Sequence, residues 1–373
     1  MSRELYEKDI NQIATGAALL GAGGGGNPYI GKLMAISMIK KNGPITLLSP
    51  DEAPDDELFV SASGIGAPAV SMEKFPNGSE FRRSFGMMES YYGKKIYGTF
   101  PIEAGGINSM MPIVAASDMN MPMVDADGMG RAFPELQMST FVLAGHSVTP
   151  MVLTDERGNT SLINTIDPVW AEKIGRNVTV QMGATATSAS DGLTGKELRE
   201  AGVLGIVTKS QKIGKLIEHA NEYDSVDSAL NELLKITNGF RLFTGKIVDI
   251  EHTTKGGFNF GETTIKGLDK NQNSTGSISF QNENIIFKVD GKVLATAPDL
   301  ITMVDIDTLQ PVTNEEIKYG KRVHVLGLPA NDKWRTPEGI KSVGPRYFKY
   351  DVDYVPIETR YKNFVEDRGG ELV

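Results

Sequence analysis

Five glycines in six residues, Gly21-Ala-Gly-Gly-Gly-Gly26, interrupt two helical stretches near the start of this chain. Glycine loses more backbone freedom on folding than any other residue, so such a run implies tight turning or close approach. Before it, Ile10, Ile13, Ala14, Ala17 and Leu20 recur at helical spacing, which predicts a helix from Asp9 to Leu20. After it, Asn27 can cap a second helix, and Pro28 suits a first turn that has no use for its missing N–H. Lys40-Lys41 and Asn42-Gly43 mark that helix's end. The loop lacks the Lys-Ser/Thr of a P-loop and follows a helix, whereas a dinucleotide fingerprint follows a strand. Amides presented at a helix N-terminus suit an anion or a carbonyl oxygen; tight helix–helix packing is the alternative.

Strand and helix signals then alternate. Ile45–Leu48, Leu58–Ala62, Ile96–Ile102 and Met121–Val124 read as strands, with Ser79–Tyr92 and the face Ile107, Met110, Met111, Val114 and Ala115 as helices. Strands separated by helices of this length imply a mainly parallel sheet with right-handed crossovers. From Met151 the character changes. Glu156-Arg-Gly-Asn159 signals a hairpin, Val178–Met182 reads as a strand, and helices follow over about 195–237. From Phe240 to Ile357 the pattern is almost wholly β, with Asp290-Gly291 as a two-residue hairpin turn. The expected fold class is an α/β N-terminal domain (1–168) and a mainly β C-terminal domain (169–358), barrel or sandwich, with a helical insertion. A polar tail is expected over 359–373.

Composition excludes several functions. The chain has no cysteine, so thiolate–metal sites, disulfides and a cysteine nucleophile are ruled out. Its net charge of −9 and the lack of a basic–aromatic stripe argue against nucleic acid as a partner. No apolar stretch approaches the length of a membrane span, and Met1–Lys8 has no signal-type apolar core. These features give the expectation of a cytoplasmic protein with a small-molecule substrate and no membrane partner. A homo-oligomer is expected.

In an open parallel sheet, ligands bind beyond the carboxyl ends of the strands. Three predicted strands end in polar residues followed by glycine, leading into Ser63-Gly64, Glu103-Ala-Gly-Gly-Ile-Asn108 and Asp125-Ala-Asp127-Gly-Met-Gly-Arg131. Asp125 and Asp127, two apart, are the candidate pair for a divalent cation or for acid–base work; a solvated turn or helix cap is the bland reading. His146 is a candidate general base or a hydrogen-bonded structural residue. The expected pocket brings Glu103, Asp125, Asp127 and Arg131 to Gly23, Gly24, Gly25, Gly26 and Asn27. Trp334 and Arg335 sit in a loop that packs, or closes over the crevice.

Four stretches, Gly21–Gly31 (GAGGGGNPYIG), Glu103–Ser109 (EAGGINS), Asp125–Glu135 (DADGMGRAFPE) and Gly344–Tyr354 (GPRYFKYDVDY), together resemble the S-methyl thiohydantoin desulfurase-like family. The resemblance runs from about Leu5 to Glu358. It implies the same two-part layout, an association with hydantoinase-type proteins, and removal of the methylthio group from an S-methyl thiohydantoin. It brings no catalytic assignment, so roles follow from the chemistry. Water must be activated, a ring nitrogen protonated and developing charge stabilised. Asp125, Asp127 or His146 would serve as base and Glu103 as acid. Arg131, Ser63, Asn108 and the glycine-loop amides would hold substrate. The competing readings are a Mg-nucleotide enzyme and a non-catalytic partner of a hydantoinase-type protein.

Overall fold

The computed structural model describes residues 1–66, 74, 78–255 and 258–367. It opens with β1 (Arg3–Leu5) and α1 (Glu7–Leu20), and the glycine loop leads to α2 (Tyr29–Asn42), giving the expected helix–loop–helix unit. There follow β2 (Ile45–Leu48), β3 (Leu58–Gly66), α3 (Glu80–Tyr92), β4 (Ile96–Phe100), α4 (Met111–Met119), β5 (Met123–Val124) and β6 (Ala126–Asp127). Next come α5 (Thr140–Leu143), the hairpin β7 (Met151–Thr154) and β8 (Thr160–Ile163), α6 (Pro168–Gln181) and β9 (Thr185–Thr194).

One eight-stranded sheet forms in the order β1-β2-β5-β4-β3-β9-β7-β8. Its centre, β2, β5, β4 and β3, is parallel, as the helical crossovers require. The sheet as a whole is mixed, because β1, β9, β7 and β8 join it antiparallel. β9 enters from beyond residue 168 and runs beside β3 as far as Gly66, so Ser63–Gly66, which the sequence reads as the start of a turn running to Pro68, are strand; Ala67-Pro68 lie outside the described residues. Val178–Met182 falls at the end of α6 instead of forming a strand. Asp167 caps that helix by accepting from the Trp170 N–H (2.9 Å), and Pro168 fits its first turn. A helix so nucleated carries its β-branched valines along.

The second half begins with α7 (Gly195–Ala201), β10 (Val203–Leu204), α8 (Ile206–Glu218) and α9 (Val226–Thr237). β10 pairs with β6, and α8 lies on α1 so closely that a methyl at Gly214 would meet the Gln12 carbonyl at 1.8 Å. Then come β11 (Phe240–Lys255), β12 (Phe258–Gly267), β13 (Thr275–Gln281), β14 (Glu283–Val289), β15 (Lys292–Thr296), β16 (Leu300–Asp305), β17 (Pro311–Val312) and β18 (Arg322–Leu328). They form an antiparallel sheet in the order β15-β14-β13-β12-β11-β18-β16-β17. Asp290 and Gly291 both take positive φ, 51° and 78°, as the tight hairpin between β14 and β15 demands.

Two helices close the chain, α10 (Pro337–Val343) and α11 (Ile357–Asp367). The segment expected to be a polar tail is therefore helical as far as Asp367, because Ile357 and Phe364 sink into the core of the second sheet. Residues 368–373 lie outside the described residues. Leu300, Val304, Leu326 and Leu328 of the second sheet join the core built by α1, α2, α4 and α8. Each such leucine contributes about 1.5–3 kcal/mol on burial, so apolar contact fuses the two halves.

Candidate active site

A cavity of about 170 Å³ opens beyond the carboxyl ends of β3 and β4. The first half lines it with Gly25, Gly26, Asn27, Ser63, Asn108 and Glu103; the second half adds Asn282 and Glu283. Ile30, Ile102, Ile107, Met129 and Phe133 make much of the remaining wall apolar.

Glu103 follows β4 and is buried. Its Oε1 accepts from Asn108 Nδ2 (2.7 Å) and its Oε2 from the Phe133 N–H (3.3 Å). Asn108 in turn accepts from the Gly64 N–H (2.7 Å), so the end of β3 orients Asn108, which orients Glu103. Burial pushes the Glu103 carboxyl up to about 7, against the lowering influence of Asn108, the Phe133 amide and the Arg131 charge. Such a value suits proton exchange near neutral pH.

Glu283 is the partner that the sequence did not reveal. It begins β14, is 2% exposed, and accepts from the Gly25 N–H (3.1 Å). Its Oε2 has no hydrogen-bond partner among the described residues. Burial and the charge of Glu103 push its carboxyl well above the ordinary range, opposed by Arg131 and the Gly25 amide. In sequence, Gln281-Asn-Glu-Asn284 reads as a polar turn between two strands. Nothing there marks the glutamate as pointing inward.

The glycine loop thus meets an acid group of its own chain. Gly23, Gly25 and Gly26 take positive φ, and a methyl at Gly24 would lie 2.1 Å from Glu283 Oε1. The loop is also stitched into place from both halves, with Gly25 O accepting from Ile107 N (3.0 Å) and Gly23 O from Asn314 N (2.8 Å). Pro28 takes the N-cap position of α2, one residue later than the sequence suggests; Asn27, just before it, accepts from the Tyr29 N–H (2.8 Å), while its Nδ2 donates to Glu316 (2.6 Å). A carboxyl seated on the loop leaves a phosphate in the same place with an adverse neighbour.

The two aspartates do not join this cavity. Asp125 caps α8, its Oδ1 accepting from Val207 N (2.8 Å) and Thr208 N (3.1 Å) and its Oδ2 from the Thr208 hydroxyl. Asp127 is fully buried and accepts from the amides of Met129 (3.2 Å), Gly130 (2.8 Å) and Ala104. Burial raises its carboxyl well above the usual range. Their oxygens turn to different backbone donors, which replaces the shared cation of the sequence reading with two structural roles. Among the described residues, no group of three or more histidine, aspartate or glutamate side chains is arranged to hold a metal ion.

Arg131 lies behind the site with no exposed surface. It donates to the carbonyls of Ala132 (2.9 Å), Pro298 (2.8 Å) and Asp299 (3.0 Å), and its guanidinium stacks on Phe133 (4.4 Å). It acts on Glu103 and Glu283 through its field and does not line the cavity. His146 is also outside, 3.9 Å from Glu197, where the short α5 places it. Trp334 packs edge-on against Phe133 and donates to Met129 O (2.7 Å), which buttresses the cavity wall from behind.

Among the described residues no helix is long and apolar enough to cross a membrane. No curated protein matches the chain. Its fold resembles the crystal structure of a protein from Chromobacterium violaceum, with a TM-score of 0.79 and 22% identity, covering 95% of this chain and 100% of that one. Residues 8–165 match the S-Me-THD-like N-terminal domain and residues 166–357 the S-Me-THD-like C-terminal domain. The two matches abut and span nearly the whole chain, so it belongs to the S-Me-THD-like family.

Proposed function

We propose that this protein is a hydrolase-type enzyme acting on an S-methyl thiohydantoin or a related small cyclic amide, with Glu103 and Glu283 as its acid–base pair. One observation carries the reading: Glu103 and Glu283, buried carboxyls from the two halves of the chain, line one small cavity whose wall is largely apolar, with a third buried carboxyl, Glu80, in the same lining. Their environments separate their tasks. Glu103, fixed by two donors, is the group that ionises near neutrality; Glu283, with one free oxygen and a neighbouring carboxylate, holds its proton.

The reaction then balances without further groups. Ionised Glu103 takes a proton from water as the water oxygen bonds to the ring carbon that bears sulfur. Glu283 gives its proton to the adjacent ring nitrogen. The carbon–sulfur bond breaks, the sulfur leaves with the proton from Glu103 as methanethiol, and the new hydroxyl returns a proton to Glu283 on becoming the carbonyl. Both carboxyls regain their starting states.

The test is turnover of an S-methyl thiohydantoin, followed as methanethiol captured by a thiol reagent. Glu103→Gln and Glu283→Gln should each lose activity while remaining folded. Wild-type turnover in either variant would remove that residue from the mechanism. Exposed Ile166 (92%), Val169 and Trp170 at the start of α6 favour the second reading, a partner of a hydantoinase-type protein. That reading gains if wild-type protein is inactive alone and forms a complex with such an enzyme that Trp170→Glu disrupts.

A further inference from the structure

Part of the cavity wall beside the two acids belongs to a separate apolar cluster. Ile65, Leu136 and Ala186 line the cavity, and behind them stand the buried side chains of Met151, Leu153 and Ile163. β3 serves both regions with consecutive residues. The Gly64 N–H orients Asn108 and, through it, Glu103; the next residue, Ile65, opens the apolar lobe. α6 closes this lobe from behind. A methyl at Gly175 would lie 3.9 Å from both Ile65 Cδ1 and Leu136 Cδ1, and 2.6 Å from Met151 Cε.

The charged side chains of the same lining are engaged within the protein. Lys74 pairs with Glu156 (2.6 Å) and donates to the carbonyls of Thr185 (3.1 Å) and Met182. Arg176 pairs with Glu172, and its guanidinium stacks on the Phe258 ring (4.4 Å). Glu135 accepts from the Tyr347 hydroxyl (2.8 Å) and Glu80 from the Gly78 N–H (2.8 Å). A charged group entering the lobe would give up water for hydrocarbon, which is unfavourable without a partner. A branched hydrocarbon gains by the same transfer.

We propose that the ring taken by this site bears an uncharged aliphatic or aromatic side chain, such as leucine or phenylalanine would leave on a cyclic amide, seated against Ile65, Leu136 and Ala186. The inference rests on the reading of Glu103 and Glu283 as the pair at which that ring reacts. The acids then handle the reacting atoms, and the lobe chooses among rings.

The experiment compares S-methyl thiohydantoins that carry isobutyl, carboxymethyl, aminobutyl or no substituent on the ring carbon. For the full-length protein, kcat/KM should be highest for the isobutyl ring, by about tenfold or more over each of the others. Leu136→Ala, which removes packing, and Ala186→Met, which fills the lobe, should each reduce the preference for isobutyl over the unsubstituted ring several-fold. Thermal melting reports whether each variant is folded. Calorimetric binding of the corresponding hydantoins should follow the same order without needing turnover. Rings bound in that order but not turned over would support the lobe and overturn the hydrolase reading alone. Turnover with a charged ring equal to or better than isobutyl, or an undiminished preference in both folded variants, would overturn the lobe and leave the reaction standing. Rings neither bound nor turned over would overturn both.

Discussion

The backbone N–H of Gly25 donates to the Glu283 carboxyl across 3.1 Å, tying the glycine loop of the first half to the first residue of β14. The loop therefore both shapes the cavity and orients one of the two acids in it. Its lack of side chains is what allows the second sheet to come this close.

Gly24→Ala should expose that dependence. The new methyl would sit 2.1 Å from Glu283 Oε1, so the carboxyl must move or the loop must lift. Overpacking of this kind costs about 1–3 kcal/mol. The expected result is a lowered melting temperature and a larger fractional loss of turnover. Gly86→Ala in α3, where nothing lies within 4 Å of the new methyl, should instead stabilise by about 0.5–1 kcal/mol.

Glu103→Gln should reduce turnover by about 10²–10⁴. In the wild type, kcat/KM should rise with pH through about 7, since the base must ionise to act. Stability moves in the opposite direction. A carboxyl raised to about 7 in the folded state binds protons more tightly there than in the unfolded chain, so stability falls as pH climbs from the unfolded value through 7. Glu103→Gln removes that loss. Its melting temperature relative to wild type should improve between pH 5 and pH 8, by on the order of 3 kcal/mol at most in stability.

Arg131→Met should be severe. The substitution leaves Glu103 and Glu283 facing each other without the buried guanidinium, and it frees the carbonyls of Pro298 and Asp299. Breaking a buried ionic arrangement on one side costs about 3–5 kcal/mol. Any activity that survives should need a higher pH, because Glu103 would hold its proton more strongly. A pH–rate profile of folded protein, with melting followed in parallel, checks both effects. An unshifted profile would count against Arg131 as the charge that sets this site.

Asp125→Asn should change little. Asn is as good a helix cap as Asp, and its oxygen can still accept from Val207 N and Thr208 N. Activity within a factor of two of wild type, and a stability change under about 1 kcal/mol, are expected. A variant that is folded and dead would return Asp125 to the catalytic machinery.

Much of the fold was legible because its signals are local. Asp290-Gly291 set its hairpin, the glycine loop separated two helices, and the crossovers made the central strands parallel. Glu103 and Asn108 could be picked out because a parallel sheet gathers its strand ends on one edge. The rest depended on long-range pairing. Glu283 reaches the cavity only because β14 brings it against Gly25, 258 residues earlier in the chain. Asp125 and Asp127 looked like a metal pair because spacing cannot show which backbone amides will arrive. The amides of α8 claim the first and the turn after β6 claims the second.

The place of β9 bears on how such a protein can be cut and recombined. It begins at Thr185, after the boundary at 165/166, yet it pairs with β3 on one side and β7 on the other. A fragment ending at residue 165 would leave β3 with a bare edge and detach the β7–β8 hairpin from its sheet. Grafting the N-terminal segment of one relative onto the C-terminal segment of another would install a foreign strand in the middle of a native sheet. The two segments are thus separable as sequence matches but not as folding units.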